Sequence, residues 1–213
     1  MERIFIQSYC SVTRDKVMVN GKRESASCDG GAACLESLYT RFGLSYPKFH
    51  KMDNLSKLAF ITSELLLREW PGRDSMVKDE TGVFIETSHS SLDTDVVHHE
   101  SIRDDAAFYP SPAVFVYTLP NIMIGEICIR NGFRGENGVI ISERLDPARG
   151  ERYLSHLFLG GKMRACIYGW VDFFNDGFES HLFLIERGAV GGLNSDTSRP
   201  FSADSIRLLM NII

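Results

Sequence analysis

The sequence has no dense run of lysine or arginine, no apolar stretch approaching the ~20 residues that span a bilayer, and no pair of cysteines at CxxC spacing. Each absence removes a class of function. Without a basic tail or patch, and with a net charge of -5, the chain is not expected to bind a phosphate backbone. Without a long apolar run or a basic-then-apolar start, neither a membrane span nor a signal peptide is expected, and a cytoplasmic protein is the default. The five cysteines, Cys10, Cys28, Cys34, Cys128 and Cys166, are an odd number without metal-ligand spacing, so neither a disulfide framework nor structural zinc is expected. Neither Gly30-Gly31 nor Gly191-Gly192 fits G-x-G-x-x-G or a P-loop, which leaves nucleotide binding without support. What is present is 213 residues, 44% of them hydrophobic, enough for one large domain or two small ones with a real core.

Strand and helix signals alternate along the chain. Arg3 to Ile6 reads as a first strand, followed by a loop rich in small residues and a short helix around Cys34 to Tyr39. Asp53 to Glu69 predicts the clearest helix, with Leu55, Leu58, Ala59, Ile61, Thr62, Leu65 and Leu66 on one stripe and Pro71-Gly72 as its stop. Gly82 to Glu86 is a near-continuous apolar run, as for a strand covered on both faces. Ser90 to Ile102 and Leu119 to Arg130 are helix candidates, and Gly138 to Ser142 is a third strand. Asp146-Pro147 reads as a helix cap followed by proline at the first turn, with Gly160-Gly161 ending that helix. Met163 to Phe174 and Ser180 to Glu186 are two strands joined at Asn175-Asp176-Gly177. The order β-α-β-α-β-α-β-β predicts a mixed, mostly parallel sheet between helices. The expected organisation is one unit over residues 1–190 and a tail over 191–213 holding a possible amphipathic helix.

One constellation is more specific. Ser111-Pro112, Pro120-Asn121, Gly125, Ile127-Cys128-Ile129-Arg130, Gly132 and Gly135-Glu136-Asn137 follow one another without a gap. This resembles the amino-terminal half of a β-ketoacyl synthase of the thiolase superfamily. Lys51-Met52-Asp53-Asn54-Leu55-Ser56-Lys57-Leu58-Ala59 is similar to that family's K-M-D-R-x-S-x-L-A helix start, and Met163 to Asp172 to its A-G-G-x-E strand. The resemblance covers roughly residues 1 to 187 and implies half of a thiolase-like fold. The other half, which supplies two histidines and a lysine in active members, has no counterpart in this sequence.

The same match places the family's nucleophilic cysteine at position 144, where this chain has Arg144. A condensing cysteine acts as a thiolate at a helix N-terminus, whose partial positive charge lowers its pKa. Arginine is always protonated there and cannot be a nucleophile. Glu143 or Asp146 stands close enough in sequence to offset its charge. No catalytic residue, cofactor or metal is therefore expected. The resemblance instead implies a degenerate, chain-length-factor-like subunit in fatty-acid, polyketide or aryl-polyene-type synthesis. Its partner would be an active 3-oxoacyl-carrier-protein synthase or a second copy of itself, and an acyl carrier protein is a further implied partner. In the family the strand before the nucleophile, here with Val139, Ile140 and Ile141, pairs with its copy across a two-fold axis. Ala113, Val114, Phe115, Val116 and Tyr117 are implied to lie at that interface and its acyl tunnel, whereas read as residues alone the run is core.

Two other readings stand beside this one. The chain can be a free-standing homodimeric ligand-binding or structural protein with the half-fold. It can also be a small metal-dependent enzyme using His89, Asp93, Asp95, His98 and His99, in which a helix would set Asp95 and His99 on one face.

Overall fold

A computed structural model describes residues 3–24, 30–68, 70–104, 109–188 and 198–212. Cys28, most of the small-residue loop before Gly30, and Gly191-Gly192 lie outside the described residues. Among the described residues eight strands form one sheet: β1 (Arg3–Thr13), β2 (Val17–Val19), β3 (Lys22–Glu24), β4 (Thr81–Thr87), β5 (Asn137–Ile141), β6 (Ala165–Phe174), β7 (Gly177–Gly188) and β8 (Arg199–Pro200). Their order is β3-β2-β1-β7-β6-β4-β5, with β8 also paired to β1. β4 runs parallel to both β5 and β6, while β7 is antiparallel to β6 and to β1. β1, β4, β5 and β6 thus share one direction and β7 opposes them, so the mixed sheet is observed but it is only partly parallel. β4 pairs in parallel with β5 and β6, and the other pairings, of β1 with β2, β7 and β8, β2 with β3 and β6 with β7, are antiparallel because hairpins and returning strands join them.

Helices cover both faces. On one side pack α1 (Gly31–Arg41), α2 (Asn54–Arg68) and α5 (Ile122–Asn131); on the other, α6 (Pro147–Leu159) and α7 (Ala203–Ile212). The remaining helices are α3 (Leu92–Ile102) and α4 (Pro112–Val116). α2 is buried beyond its apolar stripe, from Leu55 through Leu67. Its polar side chains are accommodated individually: Thr62 donates to Leu58 O, Ser63 to Phe60 O, and Glu64 accepts from Arg73 and Arg130. Buried polar groups persist because each finds such a partner.

The hairpin between β6 and β7 turns on Asn175 and Asp176, both at positive φ (49° and 63°), which is the two-residue turn whose twist matches flanking strands. β1 is longer than the apolar run Arg3 to Ile6 predicts. Gln7, Ser8 and Ser11 interrupt the hydrophobic pattern yet lie buried, with Ser8 Oγ donating to Leu66 O and Ser11 Oγ 2.9 Å from His181 Nδ1. Cys10, Cys128 and Cys166 are free, and Cys34 is disulfide-bonded, a pairing the cysteine spacing did not anticipate. No helix among the described residues is long and apolar enough to cross a membrane.

Candidate functional site

The turn from β5 into α6 is built on a buried carboxylate. Glu86, near the end of β4, is fully buried. It accepts hydrogen bonds from Tyr168 Oη (2.8 Å), Ser142 Oγ (3.1 Å), the Asp146 amide (3.1 Å) and the Arg149 guanidinium. Burial, reinforced by the neighbouring Glu86 charge, pushes the Tyr168 hydroxyl well above its ordinary pKa and keeps it a donor. α6 reaches this hub because position 150 is glycine: a Cβ there would stand 2.1 Å from the Tyr168 hydroxyl. Asp146 caps the helix, accepting from the Ala148 and Arg149 amides (3.1 and 3.2 Å), and those bonds hold its carboxyl below the usual range.

Arg144 takes no part in the hub. It is exposed, and among the described residues no carboxylate lies within ion-pair distance of it. The expectation that Glu143 or Asp146 offsets its charge is therefore corrected, since Asp146 is committed to the helix N-terminus. Arg144 lines an open depression of about 690 Å³ together with Ser142, Pro147, Arg149, Arg207 and Met210. Among the described residues, neither cysteine nor histidine lines this space. Among the described lining residues the one hydroxyl, on Ser142, shares its proton between Glu86 Oε2 (3.1 Å) and the Arg144 carbonyl (2.9 Å). A nucleophile with an adjacent base is not assembled here.

The side of β5 away from β4 is open. β5 ends the sheet, and Val139, Ile140 and Ile141 are partly to largely exposed along it, Ile141 at 57%. Ala113, Val114, Phe115 and Val116 form the short helix α4, capped by Ser111 with Pro112 in its first turn. None of them is buried, which corrects the core reading of this run. Phe115 and Val116 are exposed, as is Ile129 on α5. Ala113, Val114 and Tyr117 line a cavity of about 190 Å³ with Met52, Asp53, Thr94 and Val97. Tyr117 is fixed from behind: its hydroxyl and that of Tyr46 donate to the buried Glu126 carboxylate at 3.2 and 3.0 Å. Burial and that carboxylate push the Tyr46 hydroxyl up to about 12.

The His89 to His99 cluster disperses. His89 Nδ1 lies 2.6 Å from Asp172 Oδ2 and its ring stacks on Phe174 at 4.6 Å. Asp172 Oδ1 also accepts from Thr87 Oγ1 and from the Ser88 and His89 amides. Burial raises the Asp172 carboxyl, but the bonds from His89, Thr87 and Ser88 outweigh it and hold the group below the usual range. Asp93 accepts from Asn54 and the Asn175 amide, Asp95 from Ser91, and His98 packs against Phe115. No group of three metal-ligating side chains exists among the described residues.

Sequence reasoning missed Glu86, Arg149 and Tyr168. One signal was available: a carboxylate closing the apolar run Gly82 to Glu86 must carry partners if that strand is covered on both faces.

No family model matches the sequence, and no curated protein matches it. Solved structures do. The ishigamide ketosynthase/chain length factor superposes with a TM-score of 0.65 at 18% identity, covering 89% of this chain and 63% of that one. A type II polyketide-synthase ketosynthase, AntDE, with its acyl-carrier protein AntF and a bound hexaketide, gives 0.63 at 10% identity over 88% of this chain and 63% of that one. The complex of the ketosynthase ApeO with its chain length factor ApeC from Xenorhabdus doucetiae gives 0.57 at 10% identity over 88% and 80%. The chain thus spans less than two thirds of the first two structures it matches. At these identities the likeness concerns architecture, and the chain has the thiolase-like fold of ketosynthases and chain length factors.

Proposed function

We propose that this chain is a non-catalytic, chain-length-factor-like subunit that pairs through β5 with an active 3-oxoacyl-carrier-protein synthase and bounds its acyl pocket. The observation that carries the reading is the turn at position 144. Where the resemblance places a thiolate stands an exposed, unpaired guanidinium, in a depression lined by neither cysteine nor imidazole. The support for pairing is separate: an open β5 edge, apolar side chains exposed on α4 and α5, and two architectural relatives that are ketosynthases solved with, or named together with, a chain length factor. The cavity beside Ala113, Val114 and Tyr117 is where the subunit would meet an acyl chain held by its partner. An acyl carrier protein enters the reading only through the partner. The test is co-expression with a ketosynthase of the same source that retains its cysteine. The two proteins should co-purify, and filling the cavity with Ala113→Trp should shorten the products of the complex without preventing its assembly. A ketosynthase that neither binds the chain nor changes its products in its presence would end this reading.

A further inference from the structure

The cavity of about 190 Å³ beside α4 has two unlike walls. Met52, Val97, Ala113 and Val114 make one of them apolar. Asp53 and Asp93 make the other acidic. Asp53 stands at the start of α2, where Oδ1 accepts from the Ser56 amide (3.0 Å) and Oδ2 from Thr94 Oγ1 (2.9 Å). Asp93 lies in the first turn of α3 and accepts from the Asn175 amide (3.3 Å) and from Asn54 Nδ2 (3.5 Å). All four donors are neutral, so they orient the two carboxylates without cancelling their charge.

What the cavity wants is a counter-charge. Among the described residues neither carboxylate forms an ion pair with a lysine or arginine. Lys51, the one cation among the described lining residues, is exposed and stands against two carboxylates. Burial, with the Asp93 charge adding to it, pushes the Asp53 carboxyl above its ordinary value despite the bonds from Ser56 and Thr94. The hydroxyls beside the cavity are already committed, Thr94 to Asp53 and Tyr117 to Glu126. An incoming molecule therefore meets carboxylate lone pairs on one side and apolar surface on the other. An anionic ligand is repelled there, and a neutral chain leaves half-buried charge unmatched. A metal ion calls for a third ligating side chain, and no such group of three exists among the described residues. A primary ammonium brings three donors on a compact head, and its alkyl stem can lie on the apolar wall as a lysine stem does.

We infer that this cavity receives a primary ammonium group carried on a short apolar chain, its head between Asp53 and Asp93 and its stem against Met52, Val97 and Val114. The inference rests on the reading above only for the source of the amine, which is either the end of an acyl chain held by the partner or a free alkylamine. Its basis is charge complementarity across one space, not the acyl role of that space.

n-Hexylamine, n-hexanol and hexanoate, titrated one at a time into the intact chain at neutral pH, test the site through the amide resonances of Thr94 and Val114. Hexylamine should bind about tenfold tighter than hexanol, as one charge-assisted hydrogen bond provides, and hexanoate should not bind. Asp53 also caps α2, so the substitution to use is Asp93→Asn. It should erase the preference for the amine and leave hexanol binding unchanged. Val97→Trp, at an exposed position, should exclude amine and alcohol alike. Hexanol binding as tightly as hexylamine, a preference that survives Asp93→Asn, or hexylamine that shifts neither resonance overturns the inference. These titrations need no ketosynthase, so their failure is distinct from failure of the pairing reading. In the assembled complex, the source is read by displacing bound hexylamine with an acyl chain that ends in an amine and with a plain chain of the same length. Displacement by the amine-ended chain alone makes the acyl chain the source, and displacement by neither makes it a free amine; both results uphold the site. Equal displacement by the two chains overturns the preference for a cation.

Discussion

At position 144 the side chain decides what the turn can do. A ketosynthase nucleophile needs a thiolate stabilised by the start of a helix. Here the helix start is neutralised by Asp146 and the side chain offered to solvent is a guanidinium. The isolated chain should therefore release no carbon dioxide and form no ketoacyl product from acyl- and malonyl-carrier substrates. Arg144→Cys should leave that result unchanged, because no imidazole lines the depression to handle the malonyl group; turnover above the buffer control from either protein would count against the account. Glu86 is the residue on which the turn depends. Glu86→Ala leaves the partly exposed Arg149 and the buried Tyr168 hydroxyl without their shared acceptor, and a buried donor deprived of its partner costs about 1–3 kcal/mol, readable as a drop in the chemical-denaturation midpoint. That position 144 lies just before a helix was legible in the sequence, through the cap signal Asp146-Pro147. The Glu86 hub was not, since its partners lie 56 to 82 positions from Glu86 and only the fold brings them to it.

Among the elements, the strongly periodic segments α2 and α6 were legible from spacing and caps, and so was the two-residue hairpin after β6. β1 was only half legible, because buried serines and a glutamine break its apolar run and their partners come from distant elements. α4 was misjudged as core because composition reports apolarity and not which side of the fold a short helix faces. The His89 to His99 stretch is a fastening between elements: Asp172 at the end of β6 holds the turn after β4 through four hydrogen bonds. Because the folded Asp172 carboxyl sits below its unfolded value of about 3.9, its stabilisation is complete above that pH and is lost as pH falls through the folded value. Asp172→Asn should cost about 1–3 kcal/mol at neutral pH and flatten the acid limb of the stability profile, measured by denaturant melts between roughly pH 2 and 7. An unchanged acid limb would mean that the fastening carries little load.

Across the whole molecule, exposed apolar side chains occur on the elements covering both faces of the sheet. Val96, Phe115, Val116, Leu119, Ile129 and Ile141 belong to α3, α4 and α5, the segment between them, and β5. α6 and α7 expose apolar side chains as well, Tyr153, Leu159 and Leu208, interspersed with Arg152, His156 and Arg207. Exposed apolar surface beside an unpaired sheet edge is suited to an interaction, and here α5, which exposes Ile129, neighbours β5, which exposes Ile141. The composition, near-average in apolar content and modest in charge, gave no sign of the open apolar edge, because that edge arises only when β5 takes the end of the sheet. The measurement that bears most directly on the account is the mass, by light scattering, of the species formed when this chain is mixed with a cysteine-bearing ketosynthase from the same source. The account predicts a one-to-one complex with the parent chain and none with Ile140→Lys, which places a charge on the pairing edge while the circular dichroism of the fold stays unchanged. A parent chain that remains apart from the ketosynthase, or a complex indifferent to the lysine, would contradict it.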